Sequence, residues 1–325
     1  MRSVRSNAEK FSRRRFITVV ASTAAALSTY PIVTVNARAL APPPVRWRGV
    51  AMGADASLTL SHENPEVAAH ALKACLDEIA RLEMILSLYE PNSELSRLNR
   101  DAVLADPSID FVRCLSEAHT ISELTGGAFD PSVQPLFEFY QTHFDRRATE
   151  APDIDNSDEF DAVRSLVNFR NINIAAKEVS FRRKGMAVTL NGIAQGYVCD
   201  RVSALLRGFG FENALVNLGE ISALGHGPGG RPWLVEISNS NAIPESTLKT
   251  LKLKDRAVAT SAPSGHMFDK SGRHHHMFDP HNGHPSNRFK SVTVVAPNAT
   301  MADGLSTAMA VMSRQEISAL QNKTT

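Results

Sequence analysis

Residues 296–312 read APNATMADGLSTAMAVM, and they follow the β-prone run SVTVVAP (291–297). The order is strand, turn, helix: Asn298 to Met301 supply turn residues, and the run from Asp303 onward carries helical character, with a final helix starting near Met301. On that helix Asp303, Ser306 and Thr307 fall at i, i+3 and i+4, so one carboxylate and two hydroxyls share a face. Such hard oxygen donors suit Mg²⁺ rather than zinc or copper. The plainer reading is that Asp303 caps a helix and the hydroxyls return to the backbone.

Working outward, VRWRGVAMGADASLTL (45–60) alternates as a strand, and Pro65 opens a helix with Val67, Ala68, Ala71, Leu72, Cys75, Leu76, Ile79 and Leu82 at helical spacing. A second helix is expected from about Asp110 to Leu124, ending at Gly126-Gly127. The polar stretch 145–161 reads as a surface excursion. A strand near 178–190 leads through LNGIAQG (190–196) into a helix ending near Leu206. Strands dominate thereafter, in ALVNLGEISALG (214–225), PWLVEIS (232–238) and LKTLKLKDRAVATS (248–261). Long helices come early and strands late, without β-α-β alternation, which favours α+β over a doubly wound parallel sheet.

The first 39 residues read as a leader rather than fold. Arg13-Arg14-Arg15 precedes Phe16, an uncharged stretch runs from Ile17 to Val35, and Ala37-Arg38-Ala39 has the form of a cleavage site. Ser-Arg-Arg-x-Phe resembles the twin-arginine export signal, so the expected divisions are a signal peptide, 1–39, and one domain, 40–325, delivered folded to the periplasm. The leader carries seven Arg/Lys and one Glu, so a chain without it falls from a net charge of +1 to −5. That excludes a basic nucleic-acid-binding surface. No later segment is apolar enough to span a membrane, so any membrane association is expected through a partner. Cys75, Cys114 and Cys199 lie in apolar-periodic segments and read as small buried hydrophobes.

Glycines punctuate the segments next to this chemistry. Gly192 and Gly196 stand where backbone must approach something closely, and a free N–H or carbonyl there can meet a phosphate or a metal. TGGAFDPSVQPL (125–136) adds Phe129 and Asp130 on a turn, and LSLYEPNSELSRLN (86–99) adds Tyr89 before a proline turn. Such aromatics either lid a core or cover a flat ring system.

Taken in order, MGADASLTL, SLYEPNSELSRLN, TGGAFDPSVQPL, LNGIAQGYVCDRV, ALVNLGEISALG, ATSAPSG, HMFDPHNGHP and VTVVAPNATMADGLSTAMAVM resemble the motifs of the ApbE family of FAD:protein FMN transferases, closest to its NosX branch, which serves nitrous-oxide reductase systems. The resemblance covers essentially all of the chain after the leader. It implies an ApbE-like, T-fold-related mixed α/β core with helices packed on antiparallel sheets. It also implies an enzyme that binds FAD and Mg²⁺, joins FMN to a Thr or Ser of a periplasmic acceptor flavoprotein, and releases AMP. By motif, Met52, Tyr89, Ala128, Phe129, Asp130, Thr189, Gln195 and His276 would hold FAD. The Gly192 carbonyl, Asp303 and Thr307, assisted by Ser306, would hold the metal. His276 and Asp303 would be the catalytic residues.

The sequence departs from the family's D-L-G-x-I-A-K-G pattern, with Thr189 for the acid and Gln195 for the lysine. Its T-S-G reads Thr260-Ser261-Ala262, its G-G reads Gly219-Glu220, and its P-R-T-G reads Pro280-His281-Asn282-Gly283. Losing an acid and a lysine together conserves net charge, and Gln195 can still donate a hydrogen bond. A non-catalytic FAD carrier or maturation factor therefore stands as the alternative reading.

A third reading comes from GRHHHMFDPHNGHP (272–285), which holds five histidines, with His266 just upstream. If 274–276 form a strand, His274 and His276 share a face and could begin a copper or zinc site of chaperone type. A third ligand would have to come from elsewhere. The resemblance singles out His276 alone, and His274, His275, His281 and His284 read as loop and surface residues.

Overall fold

A computed structural model describes residues 44–146, 157–239 and 246–324; the leader lies outside them. The expected single strand over 45–60 is a hairpin, β1 (Val45–Ala51) and β2 (Ala54–Ser61), because Met52 and Gly53 both take positive φ and close a two-residue turn. Met52 lacks the usual sequence signature of such a turn; its N–H is held by the Glu83 carboxylate. The helices α1 (Pro65–Leu86) and α2 (Glu94–Asp101) follow, then β3 (Val103–Ala105) and α3 (Ile109–Leu124). Asn64, Ser93 and Ser108 cap the three helices by accepting N–H bonds in their first turns.

The stretch read as a surface excursion contains helix on both sides of its undescribed part: the end of α4 (Gln134–Arg146) and α5 (Asp158–Arg164). The strand expected near 178–190 is shorter. After β4 (Ile172–Ile174), β5 spans Glu178–Phe181 only. Residues 186–190 remain without strand pairing, because their partners are not strands. The Asn99 side chain both donates to Val188 O and accepts from Val188 N, and Thr189 N donates to Pro131 O at 2.8 Å. An amide side chain has taken the place of a neighbouring strand.

The chain continues through α6 (Ala194–Gly208), β6 (Asn213–Asn217), β7 (Ile221–Leu224), β8 (Trp233–Asn239), β9 (Ser246–Leu253), β10 (Arg256–Ser261), β11 (Val292–Ala296), α7 (Ala299–Val311) and α8 (Arg314–Thr324). α7 begins two residues before the expected Met301, and it is followed by α8 rather than ending the chain. The central sheet is fully antiparallel, in the order β1-β2-β6-β7-β10-β11. The mixed α+β class with helices packed on antiparallel sheets is as expected.

Alternation along these strands explains why both sheet faces are covered. Ala214, Val216, Ala257 and Ala259 point to the main core under α1, α3, α6 and α7. Leu215, Ile221, Ala223 and Val258 point the other way, onto Trp233, Val235 and Leu253 of the β8–β9 hairpin. A third cluster joins Leu136, Phe139 and Tyr140 of α4 to Phe160 of α5 and Phe278. Cys75, Cys114 and Cys199 are free and buried. Among the described residues no helix is long and apolar enough to cross a membrane.

The tightest joint is between α6 and α7. A Cβ on Gly196 would lie 2.3 Å from the Ala299 carbonyl oxygen, so only glycine lets the helices come this close. Each helix then caps the other. Asp303 of α7 accepts the Gly196 N–H at 3.0 Å, and Asp200 of α6 accepts from Ala299 N, Thr300 N and Thr300 Oγ1 at 2.6–2.8 Å. Both carboxylates sit at helix N-termini, where the macrodipole favours negative charge by about 0.3–1 kcal/mol each. Gly196→Ala is expected to destabilise the protein by about 1–3 kcal/mol, since the obstructing atom is backbone and cannot swing aside. Gly208→Ala, with nothing within 4 Å of the added methyl, is the control and should be neutral or slightly stabilising in thermal unfolding.

Candidate functional site

A cleft opens where five chain segments converge: the stretch 128–137, the bend 189–192, Ser261 at the end of β10, residues 276–280, and Thr307 of α7. Of the residues expected to form the site, Ala128, Phe129, Asp130, Thr189, Gly192, His276 and Thr307 line it. Asp303, Ser306 and Gln195 do not; they are buried behind it. Met52 and Tyr89 also lie outside the lining. Met52 is tied to the last turn of α1 through Glu83, and Tyr89 follows just past Leu86 and is 67% exposed.

The floor of the cleft is made by the α6–α7 joint. Gly192 and Gly196 are four residues apart at the start of α6, and Thr307 and Asp303 are one turn apart on α7. They meet as two rungs: Gly196 N–H to Asp303 Oδ2, and the Gly192 carbonyl oxygen 3.5 Å from Thr307 Oγ1. A Cβ on Gly192 would stand 2.9 Å from Thr307 Oγ1 and 3.3 Å from the Phe129 ring, so glycine keeps this cradle open. Asp303 is thus a cap, as its plainer reading held, but of α6 rather than of its own helix. Thr307, not Ser306, is the hydroxyl that reaches the Gly192 carbonyl. Ser306 Oγ instead donates to Asp303 O at 3.0 Å and lies 2.7 Å from Ser261 Oγ.

This donor set fits a small hard cation. Cis ligands of an octahedral Mg²⁺, each at about 2.1 Å, lie roughly 3 Å apart, close to the separation of the Gly192 and Thr307 oxygens. The set holds oxygen only, with a single carboxylate and no thiolate or imidazole. Among the described residues no group of three or more His, Cys, Asp or Glu gathers as a metal site.

On the opposite wall, Asp130 accepts from Ser132 N and Oγ through Oδ1 and from Phe169 N through Oδ2. Burial pushes its carboxyl above the usual range, against those three hydrogen bonds. Both oxygens are used within the protein, so Asp130 holds the turn that presents Phe129 to the cleft. Gln195, 5% exposed, lies against the Gly219 turn, where a Cβ would come within 2.6 Å of its Nε2. Glycine at 219, with φ of 99°, is what makes room for it.

One carbonyl holds His276 at two points. His266 O accepts both its backbone N–H and its Nδ1, each at 3.1 Å. A carbonyl only accepts, so Nδ1 carries the proton and the lone pair of the neutral ring lies on Nε2.

Residues 274–276 are not a strand. Only His275 makes an isolated bridge, to Met267, so the expected shared face of His274 and His276 does not form. His275 is fully buried rather than a surface residue. Its Nδ1 accepts from Met277 N and its Nε2 faces Asn287 Oδ1, and burial lowers its basicity. His266, His274 and His284 pack against the aromatic cluster, with the His284 ring stacked on Phe160 at 4.8 Å. This packing explains why the stretch is histidine-rich: flat, partly polar rings fill the seam between α4 and the loop.

Sequence reading missed Asn191, Phe137, Phe278 and Ser261, all of which line the cleft. Phe137, Tyr140 and Phe144 recur at helical spacing, a signal for α4 that was there to be used. Ser261 lies in ATSAPSG (259–265), where its residue type alone does not mark it as part of a cleft.

With that geometry in place, comparisons with known proteins become informative. The ApbE family model matches residues 52–325. A FAD:protein FMN transferase of Vibrio cholerae is 32% identical over 236 residues, 71% of this chain and 70% of that protein. One from Treponema pallidum is 30% identical over 271 residues, 76% of this chain and 74% of that protein. Among solved structures, the Vibrio cholerae flavin transferase ApbE superposes with a TM-score of 0.71 at 26% identity, over 87% of this chain and 92% of that one. The Thermotoga maritima ApbE protein superposes with a TM-score of 0.75 at 26% identity, over 86% of this chain and 92% of that one. The fold is that of the flavin transferases. The chain belongs to the ApbE family.

One contact ties the two walls together. His281 Nδ1 faces Asp279 Oδ1 at 3.0 Å and its Nε2 faces Gly126 O at 3.1 Å. Two acceptors require two ring N–H groups, hence the imidazolium. Partial burial opposes the charge, but Asp279 and the Gly126 carbonyl outweigh it and raise the pKa. A raised folded-state value means that the contribution is complete below the ordinary histidine range, about 6.5, and is lost as pH rises through the folded value. Stability curves of the wild type and His281→Ala are expected to differ most at pH 5–6 and to converge as the ring deprotonates.

Proposed function

We propose that this chain is a FAD:protein FMN transferase, moving FMN from FAD to a Thr or Ser hydroxyl of an acceptor flavoprotein and releasing AMP. One observation carries the reading: the Gly192 carbonyl and Thr307 meet at the floor of a cleft walled by Phe129 and His276, with the Asp303 carboxylate buried one turn behind Thr307 on the same helix. Cleavage of a pyrophosphate needs charge neutralisation and alignment more than covalent help from the protein. Mg²⁺ held by those three residues would supply the positive charge that stabilises the phosphate oxygens.

The protein's own residues do the rest. Phe129 offers a flat apolar wall for a ring system, and Thr189 and the 128–130 backbone border the same space. His276, with its proton fixed on Nδ1, presents Nε2 as the group to accept the proton of the incoming hydroxyl. Asp303 keeps α6 and α7 in register, so that the Gly192 carbonyl and Thr307 stay paired. With neither a lysine at 195 nor an acid at 189, alignment falls to the floor residues and His276.

The twin-arginine motif and the A-x-A sequence of residues 1–39 support export to the periplasm. Resemblance to the NosX branch supports an acceptor in nitrous-oxide reductase electron supply. The non-catalytic carrier reading predicts tight FAD binding without turnover.

Incubation of the protein with FAD, Mg²⁺ and an acceptor domain should give an FMN-sized mass increase and free AMP. Asp303→Ala and Thr307→Val should each lower the rate by at least about 100-fold. An intact reaction in Asp303→Ala would overturn the metal assignment, and FAD retention without AMP release in the wild type would select the carrier.

A further inference from the structure

We propose that Ser261 is a positioning residue for the divalent ion: its Oγ accepts the hydrogen bond of the Thr307 hydroxyl when Thr307 turns its oxygen lone pair to the metal. The inference rests on the reading that Gly192, Thr307 and Asp303 hold that ion. It follows from counting protons along a chain of buried hydroxyls.

Ser261 Oγ lies 2.7 Å from Ser306 Oγ and 3.3 Å from Thr307 Oγ1, and Ser306 Oγ donates to Asp303 O at 3.0 Å. Ser261 and Ser306 are both buried. Each hydroxyl has one proton to give and lone pairs to accept with. In the arrangement described here Thr307 aims its proton at Gly192 O across 3.5 Å.

That orientation cannot survive metal binding. Two oxygens sharing one cation both direct lone pairs at it, so no proton can lie between them. Thr307 must rotate its O–H toward another acceptor, and among the described residues Ser261 Oγ stands 3.3 Å away to take it. Ser261 in turn donates its own O–H to Ser306 Oγ, which already donates to the Asp303 carbonyl. The chain Thr307 → Ser261 → Ser306 → Asp303 O is satisfied at every link and runs in one direction only. The same Asp303 supplies the carboxylate and the terminal carbonyl, so hydroxyl chain and ligand are set by one turn of α7. This gives Ser306 a different task from the metal contact expected of it: it terminates the chain.

The test is metal binding, read apart from catalysis. Mn²⁺ stands in for Mg²⁺ and is titrated into the purified protein by electron paramagnetic resonance, with and without FAD. Ser261→Ala should raise the dissociation constant about 10-fold or more, the scale seen when a group orienting a metal ligand is removed. Ser261→Thr keeps the hydroxyl and should stay within about 3-fold of wild type. Should Ser261→Ala fail to fold, Ser261→Cys, of similar shape but a weak acceptor, carries the same expectation of loss. If Thr307→Val and Asp303→Asn abolish Mn²⁺ binding while Ser261→Ala binds as wild type, the role of Ser261 is refuted and the metal site stands. If Thr307→Val and Asp303→Asn bind as wild type, the metal reading itself has failed, and this inference with it.

Discussion

The arrangement of this protein depends on a contact between two helix starts. α6 and α7 are separated by about a hundred residues of chain, yet Gly196 lets the α7 backbone come to where a methyl group would sit. That closeness allows reciprocal capping, Asp303 on α6 and Asp200 on α7. Removing the side chain of a single cap typically costs on the order of 1 kcal/mol. These two caps also set position, because each fixes one helix start relative to a carboxylate on the other. The proposed metal-binding floor is a by-product of that register: once Gly196 meets Asp303, Gly192, four residues before Gly196, meets Thr307, four residues after Asp303.

The sheet contributes by being covered on both faces. Antiparallel order lets β10 run beside β11 under α7, which brings Ser261 to the hydroxyls of α7. Hydrophobic alternation on β6, β7 and β10 fills the helix side and the β8–β9 side at once. The cleft therefore stands on rigid elements at its floor. Its other walls are turns that side chains pin by hydrogen bonds: Asp130 to Ser132 and the Phe169 N–H, His276 to the His266 carbonyl, and Asn99 to the Val188 backbone. Polar side chains doing the work of strand neighbours let a site have irregular backbone without leaving buried donors unpaired.

The histidines show how composition misleads. A run of imidazoles invites a transition-metal reading, but ligation needs several lone pairs converging on one point. Here the rings are spread along a seam, stacked on phenylalanines or bonded to carboxylates and carbonyls. Only His276 turns to the cleft. What separates it from its neighbours is a backbone carbonyl, His266 O, which no pattern of residue types reveals.

The sequence alone determined the α+β class, the long helices α1 and α3, most of the later strands, and the fact that Asp303, Ser306 and Thr307 share a helical face. These follow from periodicities of 3.6 and 2, which are local properties of the chain. The ordered motifs, read as a resemblance, also pointed to the family and to seven residues that line the cleft. Tertiary structure decided what those motifs touch. It turned 45–60 into a hairpin, replaced the ladder at 186–190 with the Asn99 amide, and buried His275. It also separated the roles of Thr307 and Ser306, which are adjacent in sequence and on one helix, by setting one beside the Gly192 carbonyl and the other beneath Ser261. The reason is physical: the contacts that part Thr307 from Ser306 join residues 45 or more apart, the Asp303–Gly196 bond beside them spanning 107, and a local pattern carries no information on which distant group will occupy the space beside it.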